Sequence, residues 1–158
     1  MKTIDRNALQ IAAVFIWIGF VCAISFMEAW LKFTAPGISI PLGLGIGRIV
    51  FHALSMVEWT LFISILLCRL FSKPPHVIIT TRLLLSLFML LGIQRIWLLP
   101  ALDIRAEALI NGQAITASYL HLYYVLLEIA KLVLLGWLGL RYITARQPAV
   151  DKHPELTN

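Results

Sequence analysis

The chain has 158 residues, of which 60% are hydrophobic and 13% charged, with a formal net charge of +5 and a mean hydropathy of +0.88. Soluble domains carry about 25% charged residues, and a chain of this size in water leaves about a third of its unfolded surface exposed, so the composition excludes a water-soluble globule. It also excludes a disordered chain, which stays unfolded only when it has little to bury, and the length points to one domain.

Four apolar runs follow in chain order, at about 8–31, 46–67, 77–99 and 117–140. Each is close to the roughly 20 residues that a helix needs to cross about 30 Å of hydrocarbon. Between them lie breakers: Thr34-Ala35-Pro36-Gly37 with Pro41, then Ser72-Lys73-Pro74-Pro75, then Pro100 through Asn111-Gly112. Strands of a membrane barrel would be about ten residues long and alternate in polarity; these runs do neither. The expected fold is all-α, an integral membrane four-helix bundle over residues 1–146, with 147–158 a short cytoplasmic tail. The first run is longer than a signal-peptide core and lacks a good small-x-small site after it, so it reads as a retained helix.

Lys and Arg near the helix ends set orientation. Lys2, Arg6, Arg69, Lys73, Arg82, Arg141, Arg146 and Lys152 fall on one side, against Lys32, Arg48, Arg95 and Arg105 on the other. Both termini are therefore expected in the cytoplasm, in a multi-pass protein of a bacterial cytoplasmic membrane. The positive charge reads as a topological signal; no basic stripe interleaved with stacking aromatics suggests nucleic acid. The partners implied are the lipid bilayer and a second copy or a membrane-complex subunit. Cys22 and Cys68 differ in depth by roughly 15 Å at 1.5 Å per residue, too far to bridge. Gly43, Gly45 and Gly47 follow no strand, so they let the second helix start close to a neighbour rather than cradle phosphate.

Ionisable side chains inside a membrane cost about 2.5–3.5 kcal/mol each and need a reason. Glu28, His52, Arg95 and His121 come from four different helices and fall at one level of the outer leaflet, with Glu58 and Glu128 nearer the midplane. On the fourth helix His121, Tyr124, Glu128 and Lys131 form one stripe, opposite Leu122, Val125, Leu126, Ile129 and Val133. Glu58 lies about 120° around the second helix from His52 and so faces a different neighbour. Plainer roles compete: Lys32, Arg48 and Arg105 snorkel to headgroups, Glu28 pairs with Lys32 or with Arg95, and Glu128 pairs with Lys131. Trp30, Trp97 and Tyr119, with Trp137 and Tyr142 at the other end, read as interfacial anchors.

The leading functional reading is binding or translocation of a cation, metal or proton. Its ligand or proton-binding residues are His52, His121, Glu28, Glu128, Arg95 and Tyr124, and His52, His121 and Glu28 are the candidate metal ligands. A b-type haem held by His52 and His121, an enzyme acting on a lipid-soluble substrate such as a quinone and a purely structural accessory subunit are the alternatives.

The turn Phe33-Thr34-Ala35-Pro36, the stretch Gly47-Arg48-Ile49-Val50-Phe51, Pro100 followed by Arg105, and Tyr119-Leu120-His121 together resemble the layout of the transmembrane-protein-205-like family, over roughly residues 15–140. Those are small four-helix membrane proteins, largely uncharacterised in bacteria and linked to metal-drug tolerance in animals. The resemblance implies a four-helix membrane fold and mildly favours transport or membrane maintenance over haem; it supplies no catalytic residues.

Overall fold

A computed structural model describes residues 5–71, 77–113, 116 and 118–146. Four helices in it are long and apolar enough to cross a membrane: α1 Arg6–Thr34, α2 Ile40–Leu70, α3 Val77–Ile110 and α4 Leu120–Ala145. No strand occurs among the described residues. Lys2, Lys73, Lys152, the Ser72–Pro75 breaker and the tail 147–158 lie outside them.

Side-chain caps fix where the first two helices begin. The Asp5 carboxylate accepts from the backbone N–H groups of Asn7 and Ala8, at 3.0 and 3.4 Å, satisfying donors that the first turn leaves unpaired. Ser39 caps α2 in the same way through Leu42 N–H, at 3.4 Å. Pro41 therefore falls in the first turn of α2, where a missing N–H is harmless, and α2 starts at Ile40 instead of the expected position 46. Gly37 and Gly112, at φ +81° and +75°, provide the left-handed turns after α1 and α3.

The largest difference from expectation is in α3, which runs to Ile110 and not to about 99. A proline inside a helix loses a hydrogen bond and crowds the carbonyl four residues back. Here Gln94–Leu98 widens into a π-helical turn, so Pro100 lies at the start of a new α-helical stretch, Leu99–Ile110. A second π-helical turn, Cys22–Glu28, interrupts α1. The turn in α1 follows 16 residues of regular helix and that in α3 follows 17; at 1.5 Å per residue both lie about 25 Å from one end of the bundle.

That end, which carries Arg6 and Arg146, is here the terminal end; the opposite one is distal. Arg6 donates to the Phe71 carbonyl at 2.5 Å. Arg69 reaches across to Thr80 Oγ1, Thr81 Oγ1 and the Val77 carbonyl, tying α2 to α3 as well as contributing charge. α1 packs on both α2 and α4, and the far half of α3 packs on α2. The terminal half of the core is apolar, built on Val14, Trp17, Phe62, Leu87 and Leu135, with Trp59, Phe62 and Phe88 in mutual ring contact at 5.7–6.1 Å. A smaller distal core holds Leu98, Leu99 and Tyr124. Outward-facing positions such as Ile49, Ile96, Ile104 and Val133 are apolar and exposed, the surface expected of a chain solvated by lipid. Trp30, Trp97, Tyr119 and Trp137 are exposed as anchors would be, whereas Tyr142 is buried: it packs in the terminal core and is not an interfacial anchor. No disulfide joins Cys22 and Cys68.

The glycines of α2 divide into two kinds. A Cβ on Gly43 would lie 2.2 Å from the Phe33 ring, and one on Gly47 2.9 Å from Lys32 Nζ, while one on Gly45 meets nothing. Gly43 thus has no room for a Cβ against the Phe33 ring, whereas the Lys32 ammonium beside Gly47 ends a flexible side chain that can move aside. Gly43→Ala is expected to destabilise the detergent-solubilised protein by about 1–3 kcal/mol through overpacking. Gly45→Ala is expected to stabilise it by about 0.5–1 kcal/mol through helix propensity. Thermal unfolding of the two variants side by side checks both signs.

Candidate functional site

Of the polar stripe on α4, three members turn into the bundle, whereas His121, the first, is exposed. Tyr124, Glu128 and Lys131 are buried, while Leu122, Leu126, Ile129 and Val133 opposite them are exposed. Lys131 Nζ donates to Glu128 Oε1 at 3.0 Å, within its own helix, and to Glu58 Oε1 on α2 at 2.5 Å. From α1, Trp17 Nε1 donates to Glu58 Oε1 at 3.0 Å, and from α3, Gln94 Nε2 donates to Glu128 Oε1 at 2.9 Å. All four helices thus meet in one polar cluster. The side chains of Lys131 and Glu128 are 0% exposed and that of Glu58 3%.

The cluster is unequal in charge. Two carboxylates share one ammonium, and around them stand only neutral donors. Glu128 Oε2 and Gln94 Oε1 are buried and accept no hydrogen bond. Tyr124, one turn toward the distal end, is buried, as is Ser25, which belongs to the π-helical turn of α1. Gln94 belongs to the other π-helical turn. Both interruptions of regular helix thus lie beside the buried charges, a recurrent association at functional sites.

A second polar group lies at the distal end. Arg48 pairs with Asp103 and Glu107, each at 3.4 Å. His52 Nε2 meets Asp103 Oδ2 at 2.5 Å, and Arg95 Nη1 approaches His52 Nδ1 at 3.1 Å. An arginine donates only, so this network assigns the lone pair to Nδ1 and the proton to Nε2, which donates to Asp103. Glu28 pairs with Lys32 at 3.2 Å, and Arg95 goes to His52 rather than Glu28. Lys32 Nζ also lies over the rings of Phe33 and Phe51, at 5.5 and 5.6 Å. Arg105 donates to the Thr116 carbonyl, and so is anchored by backbone.

The expected site residues therefore separate. Glu128 and Tyr124 join Glu58 and Lys131 in the inner cluster. His52 and Arg95 belong to the distal ion-pair group, Glu28 is committed to Lys32, and His121 borders a distal cavity beside Lys32 and Arg48. Among the described residues no three of His, Cys, Asp and Glu come together as metal ligands. The proposed set of His52, His121 and Glu28 is not assembled: both nitrogens of His52 and the carboxylate of Glu28 already have partners. Haem ligation by His52 meets the same obstacle, because its only lone pair accepts from Arg95.

Sequence reasoning passed over Asp103, Glu107, Gln94 and Trp17. The first two were legible as an i, i+4 acidic pair able to meet Arg48, had Pro100 not been taken as a helix end. Trp17 and Gln94 carry no charge to draw attention inside an apolar run.

No known protein family, curated protein or solved structure matches the chain. The chemistry of the site rests on its own residues.

Proposed function

We propose that this is an integral membrane protein, with both termini in the cytoplasm, that binds and translocates a proton through the Glu58–Lys131–Glu128 cluster. The observation that carries the reading is the charge count in that cluster: two carboxylates and one ammonium with no more than 3% exposure. Fully ionised, the group holds a net charge of −1 in surroundings where an isolated charge is very costly. One added proton makes it neutral without moving a helix.

Intramembrane carboxylates that face the bundle interior and pair with one another are a common basis for proton relays. Tyr124 extends the cluster toward the distal side, since its ring touches Phe51 at 5.2 Å and Phe51 lines the distal cavity. Hydrogen bonds from Trp17, Gln94 and Lys131 position the acid groups, and a positioned group is what proton transfer needs.

Proton uptake by vesicles containing the purified protein, driven by an imposed potential and followed with an enclosed pH-sensitive dye, tests this. Wild-type vesicles are expected to take up protons faster than empty ones. Glu128→Gln is expected to cut the protein-dependent rate by about 100-fold, the lower end of the contribution of a positioned proton-transfer group. Wild-type rates equal to those of empty vesicles, or unchanged rates in both Glu128→Gln and Glu58→Gln, would refute the proposal.

A further inference from the structure

Toward the distal end from Tyr124 lies a partly open cavity of about 300 Å³. This lies at the lower limit for small-molecule pockets, which are largely apolar with a few converging polar groups. Its apolar wall includes Phe33, Phe51, Leu99 and Leu102, and its polar lining is Lys32, Arg48, Asp103 and His121. Residues of all four helices contribute to it.

The polar side chains of the lining offer mainly donors, with one ring nitrogen of His121 as an acceptor. Asp103 is the one acid on the wall, and both of its oxygens are engaged, by Arg48 Nε and by His52. Lys32 has three N–H groups and uses one on Glu28; Arg48 has five and spends two on Asp103 and Glu107. His121 is exposed and has no hydrogen bond or ion pair among the described residues. The Lys32 ammonium lies close to Gly47, where a Cβ would be 2.9 Å from Nζ. The two aromatic rings beneath Lys32 hold its ammonium at the cavity wall.

We propose that this cavity binds the polar end of an amphiphile, an apolar body ending in carboxylate or carbonyl oxygens that accept hydrogen bonds from His121, Lys32 and Arg48. The apolar body lies against Phe33, Phe51 and Leu102 and continues into lipid, since the volume holds only a head and the beginning of a chain. This site is separate from the buried carboxylates and does not depend on proton transfer through them.

Calorimetric titration of the purified full chain in detergent, with three probes of one chain length, tests the assignment. Decanoate presents a carboxylate, a decyl-substituted benzoquinone presents neutral carbonyls, and decylamine presents only donors. At least one acceptor-headed probe is expected to bind saturably, at one per chain, and at least about tenfold more tightly than decylamine; whichever binds identifies the head as carboxylate or carbonyl. His121→Leu, which removes an exposed side chain without partners among the described residues, is expected to leave the fold intact and to weaken that binding about three- to tenfold, the value of one hydrogen bond. Leu102→Trp, filling the cavity, is expected to abolish it. Equal binding of decylamine, no saturable binding of either acceptor-headed probe, or wild-type affinity in both variants would overturn the proposal.

Discussion

Replacing Lys131 by methionine is expected to lower the stability of the detergent-solubilised protein by about 3–5 kcal/mol at neutral pH, the usual result of removing one partner from a buried ion pair. Methionine fills nearly the same space, so packing is not the cause. The variant instead leaves Glu58 and Glu128 facing each other without the ammonium that both contact. Among the described residues Trp17 and Gln94 remain hydrogen-bonded to them, and neither carries charge. The same reasoning fixes the pH dependence. Two stranded carboxylates are relieved by taking up protons, so the deficit relative to wild type shrinks as the pH falls. Thermal unfolding at several pH values checks this, and a deficit that grew on acidification would contradict it.

Replacing all three charges by methionine (Glu58→Met, Glu128→Met, Lys131→Met) is expected to recover most of that stability while removing proton translocation. Apolar replacement of a complete buried ionic group is often neutral or stabilising by 1–4 kcal/mol. Against this, the Trp17 and Gln94 N–H groups lose their acceptors, at about 1–3 kcal/mol each. The net change is expected to lie within about 2 kcal/mol of wild type, well above the single Lys131 variant. A stable, folded triple variant with no proton uptake would separate the role of the charges in function from any role in holding the helices together. A triple variant that transports at the wild-type rate would show that the charges only fix helix register.

Much of this arrangement was legible in the sequence. The four apolar runs gave the helices, and the spacing of Tyr124, Glu128 and Lys131 gave the buried face of α4. The angle between His52 and Glu58 on α2 correctly separated them: one pairs at the distal end with Asp103, the other meets Lys131. The distal group was misread because Pro100 is a helix breaker in any local rule. What carries α3 past it is the π-helical turn Gln94–Leu98, which has no signature in hydrophobic periodicity. With α3 ended early, Asp103 and Glu107 fell into a loop, and His52 was left looking like a vacant ligand. Depth along a helix was readable; the rotation imposed by a π-helical turn, and so the partner each side chain finds, was not.

The claim at the centre of the account is that the buried Glu58–Lys131–Glu128 cluster takes up and releases a proton. Infrared difference spectroscopy of the reconstituted protein between alkaline and acid pH measures this directly, since a protonated carboxylic acid has a carbonyl stretch distinct from that of a carboxylate. The wild type is expected to gain such a band on acidification, shifted on exchange into D₂O and absent from the Glu58→Gln, Glu128→Gln double variant. A wild-type difference spectrum identical to that of the double variant would contradict the account.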